Sequence, residues 1–312
     1  YENISGLSYR DPLTNQVFQN PARPKITPIE TIPSPYLTGV FEDMMNTHCD
    51  IGWMALWETN RGCPFLCTFC DWGTGASKVR RFDMQRLLSE VDWFGERRID
   101  YVFGCDANFG IFKRDLEIAE YLAKTKVEKG HPKEFRVCFA KNSTERIFRV
   151  ARVLHDVDMS KGASLSMQSL NKDVLANIKR DNIRLTTYKE LMVMYADNAM
   201  ETFSEIIIGL PGETYETFVD GIDLLLNGGQ HSGINIYNCV IMPNAEMGDP
   251  EYQKKYSLKM IEQPAFHAHT APPKKGEVGE VEKLLVGSYS LDEEGWRNIH
   301  RFAWAVQCFH LL

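Results

Sequence analysis

Hydrophobic residues cluster in short segments from about residue 52 onward, and most of these segments are continuously apolar over four or more residues. Runs of four or more apolar residues are typical of strands that are buried on both faces, as in a parallel sheet. Six runs predict such strands, namely Trp53–Trp57, Tyr101–Cys105, Phe135–Ala140, Ala163–Met167, Phe203–Ile208 and Ile234–Met242. Between them, apolar residues recur at helical spacing. These segments predict helices over Met84–Phe94, Arg114–Lys129, Asn142–His155, Asn171–Ile178, Tyr188–Tyr195 and Glu213–Leu226.

The alternation of strand and helix repeats as a β–α unit, and right-handed crossovers wind such units into a parallel, curved sheet. Six strands are fewer than the eight of a closed barrel. The sequence therefore predicts an α/β fold with an open, partial (β/α)6 barrel over residues 51–245. Proline-rich residues 1–50 predict an irregular lead-in or linker. Residues 246–312 predict an α-rich extension, a lid or substrate segment, which ends in a helix over Glu293–Leu312.

Composition narrows the class of protein. The chain has 312 residues and a formal net charge of −7, which argues against a large nucleic-acid surface. No run of 18 or more apolar residues occurs, so the sequence predicts no membrane span. The chain opens at Tyr1 and closes inside a predicted helix, so we expect it to be part of a longer protein.

Three of the eight cysteines lie within eight residues, directly after the first predicted strand. The spacing is Cys63-x3-Cys67-x2-Cys70, and three thiolates of one loop can ligate three of the four irons of a cubane. The fourth iron then keeps an open site for a small molecule. A structural zinc site is the alternative, and it would need a fourth ligand such as Cys49 or His48. Clustered thiols of this kind also favour a reducing cytoplasm over a secreted disulfide framework.

The loop, with Phe69 before the third cysteine, resembles the signature of the radical S-adenosylmethionine (radical SAM) superfamily. The resemblance implies a partial barrel and a 4Fe–4S cluster whose free iron binds the amino and carboxylate groups of SAM. One electron from the cluster then cleaves SAM, and the resulting 5′-deoxyadenosyl radical abstracts hydrogen from a substrate. In such enzymes the cofactor supplies the chemistry, and the protein supplies position and a dry pocket.

Further positions match the same superfamily over roughly residues 50–245. Gln168, in a Ser-Met-Gln-Ser stretch, resembles a nucleoside contact, and Arg180, twelve residues on, resembles the partner of the methionyl carboxylate. Glu205 stands where members carry an acidic ribose contact. Asp106 follows the second strand, where many members have a Gly-Gly-Glu stretch that meets the methionyl amine; this chain departs from that stretch. Phe69 completes the set of expected cofactor-binding residues.

The lead-in stretch Ile32–Gly39 and the residues around the cysteine loop resemble the cobalamin-dependent branch. That resemblance implies methylation, with cobalamin bound by a domain outside this chain. It also implies a small-molecule substrate and an electron donor such as a flavodoxin or ferredoxin. Two alternatives stay open: radical rearrangement or oxidation without cobalamin, and a non-catalytic iron–sulfur protein that binds ligands or transfers electrons.

Overall fold

The computed structural model describes residues 1–72, 78–141, 145–265 and 279–310. Its strands are β1 (Ser8–Arg10), β2 (Val17–Gln19), β3 (Met54–Trp57), β4 (Asn60–Arg61), β5 (Arg80–Arg81), β6 (Tyr101–Phe109), β7 (Glu134–Phe139), β8 (Gly162–Gln168), β9 (Glu201–Ile208), β10 (Gly233–Asn238), β11 (Lys259–Pro264) and β12 (Val281–Gly287). Its helices are α1 (Glu42–Thr47), α2 (Met84–Glu96), α3 (Arg114–Lys129), α4 (Glu145–His155), α5 (Lys172–Asn177), α6 (Leu185–Asp197), α7 (Tyr215–Leu226), α8 (Pro250–Lys255) and α9 (Glu293–His310).

The centre of the fold is a run of parallel strands in chain order. Strands β3, β6 and β7 form one parallel ladder, and β8, β9 and β10 form a second. The two ladders meet where β7 contacts β8, beside the 2.9 Å hydrogen bond from Phe135 N to Met159 O. This arrangement confirms the predicted open, partial barrel, because six strands in sequential order curve without closing.

The strands bury one face and not two, which differs from the prediction. In β3, Ala55 and Trp57 are buried while Met54 and Leu56 are exposed, and β7 alternates in the same way. The buried face packs on the helices; for example, Trp57 meets Phe94 of α2 edge to face. The opposite face of the strands, which carries Met54 and Leu56 in β3, lines the interior of the barrel. The barrel is open, and in the described part of the chain no further layer covers this face.

Local capping explains several element boundaries. Helix α2 begins after Asp83, whose side chain accepts hydrogen bonds from two backbone N–H groups of the first turn. Helix α7 begins at Tyr215, after the predicted start at Glu213, because Thr214 and Thr217 form a capping box. The predicted start of α4, at residues 142–144, lies outside the described residues.

Strand β10 ends at Asn238, four residues before the predicted end at Met242. The chain beyond it leaves the barrel and pairs antiparallel with β12: Leu285 N donates to Cys239 O at 2.9 Å, and Ile241 N donates to Lys283 O at 2.8 Å. The nine-residue segment predicted as one strand, Ile234–Met242, is therefore divided between two different sheets. Periodicity alone cannot place that break, because both partners bury apolar side chains.

The C-terminal extension contains the helices α8 and α9, and also an antiparallel hairpin, β11–β12, that the sequence analysis did not predict. Helix α9 packs against α7 and against strands β9, β10 and β12, which ties the extension to the second half of the barrel. The lead-in likewise holds the small hairpin β1–β2 and the short helix α1. None of the helices in the described ranges combines the length and hydropathy that a bilayer crossing requires.

Candidate functional site

The cysteine loop follows β3 and β4 at the carboxyl end of the barrel strands. Cys63 and Cys67 are buried, and Cys70 is half-buried. Gly62, directly before Cys63, has φ +106°, a backbone conformation that residues other than glycine rarely adopt. The chain therefore turns sharply at this glycine and brings the first cysteine inward.

Asp106 anchors the start of this loop. It lies on β6 with no exposed surface, and Oδ1 accepts hydrogen bonds from Thr59 N at 2.7 Å and Asn60 N at 3.1 Å. Oδ2 accepts from the Thr59 hydroxyl and from Asn60 Nδ2. Both oxygens are thus committed to the protein, which does not support the predicted contact of Asp106 with a methionyl ammonium group. The carboxylate instead fixes the β3–β4 corner from which the cysteine loop begins.

Thr68 docks the middle of the loop onto the C-terminal extension. Its backbone N donates to Ile178 O at 3.1 Å, and its O accepts from Met247 N at 2.8 Å. Its hydroxyl lies 3.0 Å from the Tyr252 hydroxyl, which in turn donates to Asn177 O at 3.0 Å. The loop is therefore held between the end of α5 and the segment that precedes and includes α8.

Two further side chains contact the thiol sulfurs. Asn108 Nδ2 donates to Cys63 Sγ at 3.1 Å, and Lys141 Nζ lies 3.5 Å from Cys67 Sγ. Burial raises the pKa of the Cys70 thiol, whereas a backbone N–H and the positive charge of Lys141 lower it. The surroundings of the loop are accordingly rich in donors and positive charge, as a group of thiolates requires.

Arg180 and Glu205 both contact one residue of β8, Ser166. The Ser166 carbonyl accepts a hydrogen bond from Arg180 Nη2, and its hydroxyl donates to a carboxylate oxygen of Glu205. Gln168, two residues further along β8, has φ +64°. Burial lowers the pKa of Arg180, while the Cys67 thiol and Glu205 raise it. The guanidinium thus lies between the cysteine loop and β9.

Three buried polar atoms around the loop have no hydrogen-bond partner within the described residues: Asn108 Oδ1, Gln168 Oε1 and Arg180 Nη1. A buried polar atom without a partner costs about 1–3 kcal/mol, so such atoms mark positions that a polar ligand can satisfy. The two acceptor oxygens, of Asn108 and Gln168, can accept from an ammonium group and from nucleoside N–H or O–H groups. The Arg180 nitrogen can donate to a carboxylate. The residues therefore fit SAM bound beside an iron–sulfur cluster.

The arrangement of the thiols also fits a cluster with several irons. Within the described ranges, no three side chains of His, Cys, Asp or Glu are placed to hold one metal ion between them. Three thiols that each ligate a different iron of a cubane do not need to meet at one point. Phe69, the remaining expected cofactor contact, is half-buried, with Lys141 Nζ 5.9 Å from its ring centre. It packs against a second apolar cluster, separate from the main core, which consists of Val174, Ile178, Leu210, Cys239, Ile241, Met247, Tyr252, Tyr256 and Leu285.

Asn108 and Lys141 were not among the site residues selected from the sequence. The signal for Asn108 was its position two residues after Asp106, since residues i and i+2 of a strand share a face. Lys141 directly follows β7 and its buried neighbour Ala140. A third omission is Asn182, whose Oδ1 accepts from Arg180 Nε at 2.9 Å and so orients the guanidinium.

The anchoring carboxylate makes stability depend on pH. Burial raises the pKa of Asp106 to about 6, against the hydrogen bonds that lower it. Its stabilising contribution is therefore fully present below the unfolded pKa near 4 and is lost as the pH rises through 6. We expect a loss of roughly 3 kcal/mol in unfolding free energy across the whole range, of which roughly 2 kcal/mol falls between pH 4.5 and pH 7.5. The Asp106→Asn variant should lack this pH dependence, although its absolute stability also falls.

Denaturant unfolding of the cluster-free protein at pH 4.5 and pH 7.5 measures this difference, with Asp197→Asn on the exposed end of α6 as the control. Equal pH dependence in the Asp106 variant and the unchanged protein would contradict the assignment.

Comparison with known proteins agrees with the geometry of the site. The sequence profile of the radical SAM superfamily matches residues 57–225. The 2-(S-pantetheinyl)-carbapenam-3-carboxylate methyltransferase of Streptantibioticus cattleyicolor is 41% identical over 99% of this chain and 45% of its own length. The cobalamin-dependent radical SAM methyltransferase TokK of Streptomyces tokunonensis is 38% identical over the same shares. The chain thus spans less than half the length of these relatives.

Solved structures share the fold at low sequence identity. The radical SAM methyltransferase TsrM of Kitasatospora setae superposes with a TM-score of 0.61 at 14% identity, over 82% of this chain and 52% of that one. Coproporphyrinogen III oxidase of Escherichia coli superposes with a TM-score of 0.55 at 13% identity, over 90% and 57%. The chain therefore belongs to the radical SAM superfamily, whose enzymes use a 4Fe–4S cluster and SAM, and within it the chain is similar to cobalamin-dependent methyltransferases.

Proposed function

We propose that this chain is the catalytic part of a cobalamin-dependent radical SAM methyltransferase that acts on a small carboxylate-bearing molecule. The observation that carries the proposal is the set of unpartnered buried polar atoms of Asn108, Gln168 and Arg180 beside the three thiols. The identity of 38–41% to two methyltransferases along almost the whole chain supports the reaction type. One of these relatives is named for a carbapenam carboxylate, which supports the substrate class.

In this proposal Cys63, Cys67 and Cys70 hold the cluster, which when bound supplies the electron for cleavage of SAM. Arg180 pairs with the methionyl carboxylate, because a guanidinium stays charged at any working pH and presents a planar fork. Glu205 accepts from the ribose hydroxyls. Gln168 and Phe69 provide the remaining contacts of SAM with the barrel.

The methionyl ammonium group needs an acceptor other than Asp106. Asn108 Oδ1 is buried, has no partner in the described residues, and belongs to a side chain whose Nδ2 is fixed on Cys63 Sγ. We assign the ammonium group to this oxygen. Asp106 remains two positions earlier on β6 and positions the loop.

The remaining parts of the proposal concern the whole protein. Cobalamin binds to a domain outside this chain. Within the chain, residues 1–50 are the linker or lead-in and residues 51–245 form the catalytic barrel. Residues 246–312 contribute a lid or substrate segment. A flavodoxin or ferredoxin supplies single electrons. Free thiols and a reducible cluster fit the reducing cytoplasm as the site of action.

The proposal is tested by anaerobic turnover of the full-length protein, which would include the cobalamin domain, with SAM, a reductant and a carbapenam carboxylate, with and without cobalamin. The expected result is cobalamin-dependent formation of a methylated product together with 5′-deoxyadenosine and S-adenosylhomocysteine. Formation of 5′-deoxyadenosine that is independent of cobalamin, without a methylated product, would favour rearrangement or oxidation. A protein that binds a cluster and leaves SAM intact would be a carrier or binding module.

A further inference from the structure

Besides Arg180, whose guanidinium interacts with the Cys67 thiol, two side-chain donors point at sulfur atoms of the cysteine loop. Asn108 Nδ2 lies 3.1 Å from Cys63 Sγ, and Lys141 Nζ lies 3.5 Å from Cys67 Sγ. Both distances are within the range of hydrogen bonds to sulfur. The assignment of SAM contacts uses the oxygen of Asn108 but neither of these two donors. They need a separate explanation.

The position of Asn108 follows from the register of β6. This strand has an irregularity between Gly104 and Phe109, where its pairing with β7 shifts. Asp106 and Asn108 stand two residues apart within it, and both are buried, at 0% and 2% exposed. Asp106 fixes the backbone of Thr59 and Asn60 by hydrogen bonds. Cys63 follows three residues after Asn60 and therefore comes to lie beside Asn108, two residues after Asp106 on β6. The amide is thus held in place from both sides and cannot turn away to solvent.

Lys141 is fixed by a different part of the fold. Its neighbour Ala140 is buried and donates its N–H to Phe109 O at 2.9 Å, which places the end of β7 beside the end of β6. The ammonium group lies 5.8 Å from the ring centre of Phe65 and 5.9 Å from that of Phe69. Aromatic faces of this kind favour a cation and shield it partly from water. The positive charge is therefore directed at the loop.

We propose that Asn108 and Lys141 are positioning residues that raise the reduction potential of the cluster through hydrogen bonds to the sulfurs of Cys63 and Cys67. This inference rests on the proposed role of the cysteines as cluster ligands. Reduction transfers one electron from a flavodoxin- or ferredoxin-type donor to the cluster, and no covalent bond changes. The added negative charge spreads onto the thiolate sulfurs, where N–H donors stabilise the reduced form more than the oxidised form.

The test is a redox titration of the anaerobically reconstituted protein, in which the electron paramagnetic resonance signal of the reduced cluster is followed. The variants are Asn108→Leu, Asn108→Asp and Lys141→Met, with Lys133→Met at the exposed start of β7 as the control. For Asn108→Leu and for Lys141→Met we expect the ratio of reduced to oxidised cluster at a fixed poise to fall about tenfold. For a one-electron couple this fall corresponds to about 59 mV.

The aspartate variant separates electrostatics from packing. It keeps the shape of the amide but replaces the donor by a carboxylate oxygen, so the ratio should fall further than in Asn108→Leu. A purely structural role predicts the opposite order, because leucine disturbs a polar buried position more than aspartate does.

Iron and sulfide content distinguishes a failure of the proposed cluster ligation from a failure of the inference about Asn108 and Lys141. If the unchanged protein binds no cluster after reconstitution, the assignment of Cys63, Cys67 and Cys70 as cluster ligands is wrong. A loaded Asn108 or Lys141 variant with the same midpoint as the unchanged protein overturns the inference for that residue and leaves the cysteine assignment intact. If the Asn108 variants lose the cluster, Lys141→Met, which alters a half-buried side chain, decides the inference.

Discussion

Replacing Cys63 by alanine is expected to remove the iron–sulfur cluster and to abolish the formation of 5′-deoxyadenosine. Each of the three thiolates ligates one iron, and the fourth iron has no protein ligand. Loss of one thiolate therefore leaves a second iron without a protein ligand. Cys63 is buried and its loop is fixed independently by Asp106 and Thr68. The fold around the loop should therefore survive the substitution while the metal site does not.

Iron and acid-labile sulfide, measured after anaerobic reconstitution, report the result: about four of each per chain in the unchanged protein and none in the variant. Cys67→Ala and Cys70→Ala should behave in the same way. Cys239→Ala is the matched control, since Cys239 is also buried but its Sγ lies 3.6 Å from Met247 Sδ, in the second apolar cluster. Stoichiometric zinc without sulfide, or a Cys63 variant that keeps four irons, would refute the assignment.

Replacing Arg180 by alanine is expected to weaken the binding of SAM about ten- to a hundredfold and to leave the cluster content unchanged. The guanidinium is 4% exposed, and two of its nitrogens are bonded, Nη2 to Ser166 O and Nε to Asn182 Oδ1. Nη1 has no partner among the described residues. Loss of a charge-assisted contact with a carboxylate costs roughly 1.5–3 kcal/mol, which gives the expected range.

The hydrogen bonds of Arg180 to Ser166 O and Asn182 Oδ1 also support the fold. The unfolding free energy of each variant is therefore measured beside its affinity for SAM. Arg180→Lys keeps the charge but loses the fork, so its affinity should fall between those of the alanine variant and the unchanged protein. Arg184→Ala, which alters the exposed residue just before α6, serves as the control. Equal affinities in the Arg180 and Arg184 variants, or loss of the cluster from Arg180→Ala, would show that Arg180 only supports the fold.

Much of the fold and of the site could be predicted from local pattern. Continuous apolar runs gave the six barrel strands in their order, because burial of a strand leaves a signature within a few residues. The three cysteines are close in sequence, so their spacing alone predicted a shared metal centre. Gln168, Arg180 and Glu205 came from the resemblance to the superfamily and not from local pattern; in the fold, Arg180 and Glu205 both contact Ser166 of β8, and Gln168 lies two residues further along that strand.

The hairpin β11–β12 and the early end of β10 could not be predicted in this way. Strand β11 carries charged and polar residues and is mostly exposed, so it has no buried stripe to mark it. The residues after Asn238 are as apolar as those before it, and only their pairing with β12 decides where the barrel strand stops.

The sequence by itself determined the strand order, the cysteine loop and its superfamily, since each rests on residues that are near neighbours along the chain. Only the tertiary structure decided what surrounds the thiols. Asn108 and Cys63 are 45 positions apart, and Lys141 and Cys67 are 74 apart. Their contacts depend on the shifted register of β6 and on four hydrogen bonds that occupy Asp106. A hydrogen bond needs its atoms within a few ångströms, and sequence spacing cannot specify such a distance between separate strands.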